Sequence, residues 1–165
     1  MIQKKICMLG TFAVGKTSLV RRFVESIYSD EYQTTVGVKI DKKILHVGEQ
    51  EVMLLLWDIQ GDDSIQDLRR SYLRGAAGYL LVADGTRRDT LYRTRAIQAL
   101  VQETLPSAPF LLLINKSDLA AEWSLEKDEI EEIEGQGWRV IRTSAKTGVG
   151  VEEAFLTLSQ KMLGT

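Results

Sequence analysis

An apolar run, Ile6-Cys7-Met8-Leu9, leads into Gly10-Thr11-Phe12-Ala13-Val14-Gly15-Lys16-Thr17, and an amphipathic stretch begins directly afterwards. No other segment constrains the fold so tightly. It predicts a strand, a glycine turn and a helix opening straight out of the turn, in the pattern G-x-x-x-x-G-K-[ST] with every fixed position filled. Each residue type has a physical reason. Gly10 and Gly15 allow positive φ and a close approach of backbone to ligand. Successive N–H groups of the turn then converge as an anion nest. The helix N-terminus adds unpaired N–H groups and the positive end of its dipole. Lys16 brings a compact, mobile charge suited to outer phosphates, and the Thr17 hydroxyl is an oxygen donor of the kind Mg²⁺ prefers. A phosphate-binding loop is the expectation.

The chain has 165 residues, which predicts one domain over 1–165 with a sizeable core. A net charge of −2 argues against a nucleic-acid-binding surface as the main purpose. A single cysteine excludes an internal disulfide framework and fits a reducing, cytoplasmic compartment. Cys7 sits inside the first apolar strand and reads as a small core residue. His46 is the only histidine, expected on a strand surface. No stretch reaches transmembrane length, residue 2 is Ile rather than Gly, and Leu163-Gly164-Thr165 offers no cysteine to prenylate. No membrane anchor is expected in this chain, and a monomer is the simplest state.

After Lys16, the residues Leu19, Val20, Phe23, Val24 and Ile27 fall on one face of a helix. Residues 28–37 lack such periodicity and read as a polar loop. Val38 to Val47 roughly alternates, as a half-buried edge strand with Lys39, Asp41 and Lys42 facing out. The turn Gly48-Glu49-Gln50 implies an antiparallel partner, and Val52 to Trp57 reads as a strand covered on both faces, with Trp57 packing. A short helix is expected around Ile65, Leu68, Tyr72 and Leu73. Strands follow at Gly78 to Ala83, Phe110 to Ile114 and Trp138 to Ile141, with helices at 89–105, 125–134 and from Val151. Alternating strands and helices predict an α/β fold with a mostly parallel sheet and the ligand outside the carboxyl ends of its strands.

The phosphate loop does not choose between ATP and GTP. That choice falls to Asn115-Lys116-Ser117-Asp118. A carboxylate accepts hydrogen bonds from N1–H and the 2-amino group, an edge that guanine has and adenine lacks. An Asn amide can hold the Hoogsteen side and tie neighbouring loops together. The wrong base would leave the carboxylate unpaired, so discrimination is strong. Thr143-Ser144-Ala145-Lys146 ends the last strand, where a backbone N–H could meet the base oxygen.

With these motifs assembled, the whole chain resembles a Ras-superfamily small GTPase of the Rab and Ras branches. The matches are G-x-x-x-x-G-K-T at 10–17, Tyr-Gln-Thr-Thr-Val-Gly-Val at 32–38, Trp-Asp-Ile-Gln-Gly-Asp at 57–62, Asn-Lys-Ser-Asp at 115–118 and Ser-Ala-Lys at 144–146. The resemblance implies a three-layer α/β/α P-loop NTPase fold, with a six-stranded mostly parallel sheet and one antiparallel edge strand. It implies GTP and GDP as ligands and Mg²⁺ held by Thr17, Thr35 and Asp58. Thr34 is otherwise as good an oxygen donor as Thr35. The implied nucleotide contacts are Gly10, Phe12, Ala13, Val14, Gly15, Lys16, Thr17, Ser18, Tyr28, Thr35, Asn115, Lys116, Asp118, Ser144, Ala145 and Lys146. The implied catalytic group is Lys16, Thr35, Gly61, Gln60 and Asp62. An effector, an exchange factor and an activating protein would act at the two switch loops.

Two departures stand out. Where the family usually has Asp-x-Ala-Gly-Gln, this chain has Asp58-Ile59-Gln60-Gly61-Asp62. A carboxylate at position 62 cannot donate to the phosphoryl oxygens and adds negative charge near a polyanion, which predicts slow intrinsic hydrolysis. Gln60 could swing in, or a partner could supply an arginine. Phe12 replaces a usually small residue, and either packs away or narrows the route of such an arginine. Arginines at 69, 70, 74, 87, 88, 93 and 95 and acids at 126–134 read as solvated helix faces or, on the basic side, as a contact for an acidic partner. Two other functions remain open: a GTP-bound scaffold with negligible turnover, and an ATP-using P-loop kinase, against which Asn115 and Asp118 argue.

Overall fold

Alternate residues of the central strand part to opposite cores, and this sets the architecture. Leu80 and Val82 enter one apolar cluster, while Tyr79, Leu81 and Ala83 enter the other. Helices must therefore cover both faces. The computed structural model describes residues 1–26, 37–59 and 70–165. Its strands are β1 (Ile2–Leu9), β2 (Val38–Val47), β3 (Gln50–Ile59), β4 (Ala76–Asp84), β5 (Phe110–Asn115) and β6 (Val140–Arg142). Its helices are α1 (Lys16–Glu25), α2 (Arg70–Leu73), α3 (Arg88–Thr104), α4 (Lys127–Gly135) and α5 (Val151–Leu163). The sheet runs β2-β3-β1-β4-β5-β6, antiparallel only between β2 and β3. This is the expected α/β fold with one antiparallel edge strand.

Phe23 of α1 and Phe155 of α5 stack at 3.9 Å and 5° over the face that carries Ile6, Met8 and Leu54. Leu91, Ile97 and Val101 of α3, with Ile130 and Ile133 of α4, fill the opposite face against Leu112 and Ile114. Cys7 is fully buried there, and desolvation pushes its thiol up to about 12, so it is inert as expected. Among the described residues no helix is long and apolar enough to cross a membrane.

Several local expectations are corrected. Only one face of β3 is fully covered: Val52, Leu54 and Leu56 are buried, whereas Met53, Leu55 and Trp57 are partly exposed. The α3 and α4 side chains pack against β4 and β5 on that side of the sheet. In β2, Asp41 is partly buried rather than outward, and Ile40 and Ile44 are exposed. The last strand begins two residues later than expected, because Trp138 leaves the strand path to pack edge-on against Phe110 at 5.1 Å. The arginine-rich stretch keeps the solvated helix faces expected of it, and several arginines of α2 and α3 carry acidic partners. Arg70 pairs with Glu103, Arg88 with Glu129 at 2.7 Å, and Arg93 with Asp89, while Arg95 bonds Gln136. Ile27, Ile65, Leu68 and Arg69 lie outside the described residues.

Candidate functional site

The carboxyl ends of β1, β3, β4 and β5 gather the candidate residues. β1 runs into the Gly10–Gly15 turn, and α1 starts at Lys16 with Gly15 at its N-cap, where no side chain can satisfy the first N–H groups. The turn differs from expectation in one detail. Positive φ occurs at Ala13 (60°) and Gly15 (99°), whereas Gly10 is outside that region. Gly10 serves close approach instead: a Cβ there would meet the Val82 carbonyl oxygen of β4. At Gly15 both reasons apply, since a Cβ would also run into the Asn115 amide.

Lys16 is 6% exposed, and its Nζ lies 3.3 Å from the Gly10 carbonyl oxygen, to which it donates. Burial lowers its pKa to about 8, against the opposing pull of Asp58. A buried cation at the start of a helix suits a negatively charged ligand. The Thr17 hydroxyl donates to Asp58 Oδ2 across 2.6 Å, joining the first turn of α1 to the end of β3. These are two oxygen donors on rigid elements, the chemistry a hard divalent cation takes. Ser18 follows on the same turn, partly buried. Phe12 is 44% exposed, so its ring is not packed into the core.

Asn115 joins three segments. Its Nδ2 donates to the Val14 carbonyl at 3.0 Å, its Oδ1 accepts from the Thr143 hydroxyl at 3.2 Å, and its own carbonyl accepts from the Gly85 N–H at 3.1 Å. The loop-tying role expected of an Asn amide is thus present. Asp118 is exposed, and its Oδ1 accepts from the Ser144 hydroxyl at 2.8 Å. Ser144 and Ala145 are buried, and Lys146 is exposed. A 3₁₀ helix over Ser117–Glu122, absent from the sequence reading, carries Asp118 at its start.

Three further residues escaped the sequence reading. Asp84 is fully buried, and its carboxylate accepts from Thr86, from Arg87 Nε at 3.1 Å and from Lys116 Nζ at 2.8 Å. Burial alone would raise its pKa; the bonds from Lys116, Thr86 and Arg87 outweigh that and hold it below the ordinary carboxylate value. Arg87 also donates from Nη2 to the Phe12 carbonyl at 2.9 Å. Through these two residues the phosphate-loop backbone and Lys116 share one charged network. Arg22 of α1 donates from Nε to the Ala145 carbonyl at 2.7 Å and from Nη2 to that of Lys146. These contacts span 75 residues for Arg87 and 123 for Arg22, so no local pattern announces them.

Tyr28, Thr34, Thr35, Gln60, Gly61 and Asp62 lie outside the described residues. The described part brings Lys16, Thr17, Asp58, Asn115, Asp118 and Ser144 to one end of the sheet. Its neighbouring loops are joined by hydrogen bonds rather than by chance proximity.

Two comparisons with known proteins agree. The model of the Ras family matches residues 5–164. Over 169 aligned positions the chain is 36% identical to the Ras-related protein Rab-7L1 of Rattus norvegicus, an alignment covering 96% of this chain and 81% of that protein. The chain belongs to the Ras family, and is a Ras-superfamily small GTPase.

Proposed function

We propose that residues 1–165 form one guanine-nucleotide-binding domain that takes GTP and GDP with Mg²⁺, hydrolyses GTP slowly and signals through the loops around Thr35 and Gly61. The observation that carries the reading is the position of Asn115. One buried amide bonds the phosphate loop at Val14 and the Thr143 end of β6, three residues before Asp118. A base held at Asp118 is thereby coupled to phosphates held at Gly15 and Lys16.

The protein's own groups divide the work. Turn amides and Lys16 bind the phosphates, and Asp118 with Asn115 reads the base. Thr17 and Asp58 fit as magnesium ligands, with Thr35 as a further candidate; the ion, when bound, supplies positive charge to the phosphate oxygens. Hydrolysis moves the γ-phosphoryl group to water and depends on positioning and charge stabilisation. Asp62 offers neither a donor nor a positive charge at the position where the family usually has glutamine. Single-turnover hydrolysis of GTP by wild type and Asp62→Gln tests this: the variant is expected to be faster, and an equal or slower rate contradicts it.

A second reading, a GTP-held binding module with negligible turnover at the same cytoplasmic switch surfaces, is favoured by Asp62 together with the exposed Phe12 ring. An arginine-supplying activator tests it. Strong stimulation favours the hydrolysing switch, and none favours the module.

A further inference from the structure

Lys116 sits in the left-handed region, φ 70°, an arrangement unfavourable for a non-glycine residue. Something must hold it there. The indole Nε1–H of Trp123 donates to the Lys116 carbonyl at 2.8 Å, sharing that oxygen with the Leu119 N–H. The Trp123 ring occupies the space beside Gly85, so that a Cβ on Gly85 would overlap its Cε2, Nε1 and Cδ2 atoms. Gly85 does not need glycine for its backbone, because its φ is not positive. The three atoms nearest such a Cβ all belong to the ring. The same glycine donates its N–H to the Asn115 carbonyl, and its own carbonyl accepts from the Ser124 N–H at 3.0 Å. The Arg142 guanidinium, 5.7 Å from the ring, gives the indole a further neighbour from β6.

We infer that Trp123, seated on Gly85, is a positioning residue for the base-reading loop. It fixes the backbone of Lys116 to Asp118, slowing nucleotide release and sharpening the choice of base. The inference rests on the guanine-binding reading above and adds to it a buttress from outside the motif. The logic is geometric. One end of the indole bonds the loop that reads the base, and its face rests on a residue bonded directly to Asn115. Moving the ring must therefore shift the carboxylate of Asp118 relative to the phosphate loop. A Trp that merely filled space would contribute to stability without bonding the strained residue.

The test compares wild type, Trp123→Phe, Trp123→Ala, Gly85→Ala and the double variant Gly85→Ala/Trp123→Ala. Release of GDP, and equilibrium binding of GDP, of IDP, whose base lacks the 2-amino group, and of ADP, are measured with Mg²⁺ present. Trp123→Ala is expected to release GDP about tenfold faster and to narrow the GDP-to-IDP affinity ratio, because a displaced Asp118 no longer rewards the 2-amino group. Trp123→Phe keeps a ring on Gly85 but loses the N–H, and should fall between wild type and Trp123→Ala. Gly85→Ala should resemble Trp123→Ala, and the double variant should be no worse than Trp123→Ala alone. Trp123→Phe and Gly85→Ala carry the test if Trp123→Ala does not fold. The inference is overturned if the variants lower the melting temperature yet leave release rate and GDP-to-IDP ratio within about twofold of wild type, or if the Gly85 and Trp123 effects simply add. A wild type with no preference for GDP over ADP would instead remove the guanine reading itself, and this inference with it.

Discussion

The Thr17 hydroxyl and the Asp58 carboxylate hold each other across 2.6 Å, so the start of α1 and the end of β3 are joined at the point where a metal-bound phosphate would lie. Thr17→Ala should therefore weaken magnesium-dependent retention of nucleotide by about tenfold or more, the scale on which metal sites respond to loss of a supporting group. GDP release measured with and without a chelator checks this. Chelation should accelerate wild type strongly and the variant far less; equal acceleration contradicts the assignment.

Lys16 gives a pH dependence whose sign follows from its burial. Its folded pKa, about 8, lies below the ordinary 10.5, so between these values the unfolded chain binds more protons than the nucleotide-free folded protein. Stability contributed by this group thus rises with pH across that window. Phosphates favour the charged amine, so binding at about pH 8.5 should take up protons, and affinity should fall as pH climbs past 8. Calorimetric titration with GDP in buffers of different ionisation enthalpy reads the uptake directly. No uptake would place the amine fully charged in the free protein.

Two glycines with positive φ should respond differently to alanine. Gly48 has nothing within 4 Å of where a Cβ would go, so Gly48→Ala should cost about 1 kcal/mol of stability and leave nucleotide binding unchanged. At Gly15 the added carbon meets the Asn115 amide, and the same substitution should lower GDP affinity by roughly a hundredfold. Paired melting and binding curves distinguish the two; similar losses of affinity would contradict the account of the turn.

The Phe23–Phe155 stack should dominate the packing of α1 against α5. Phe155 is fully buried, and Phe155→Ala is expected to destabilise by about 3–5 kcal/mol in urea unfolding. Tyr92 is 55% exposed, and Tyr92→Ala should stay within about 0.5 kcal/mol of wild type. A Phe155→Ala cost below that of Tyr92→Ala would mean the helix is held elsewhere.

The fold and the phosphate and base loops were legible because their chemistry demands fixed residue types at short spacing. Gly15, Lys16 and Thr17 are neighbours in sequence, as are Asn115 and Asp118. The succession of strands and helices followed from the apolar pattern of each segment. What sequence could not supply were contacts made only after folding. Trp123 over Gly85, Arg22 on the Ala145 and Lys146 carbonyls, and Arg87 on the Phe12 carbonyl depend on elements far apart in the chain. The misjudged details have the same origin. Trp138 left its strand for Phe110, and the outer face of β3 stayed half exposed because helix coverage is a tertiary property. The partners of the arginine-rich stretch, such as Glu129 for Arg88, likewise follow only from the packing of α3 beside α4.

The most direct measurement is calorimetric titration of the nucleotide-free protein with GDP and with ADP, magnesium present. The account predicts tight, saturable binding of GDP and none comparable for ADP. Absence of heat with GDP, or a preference for ADP, would contradict it.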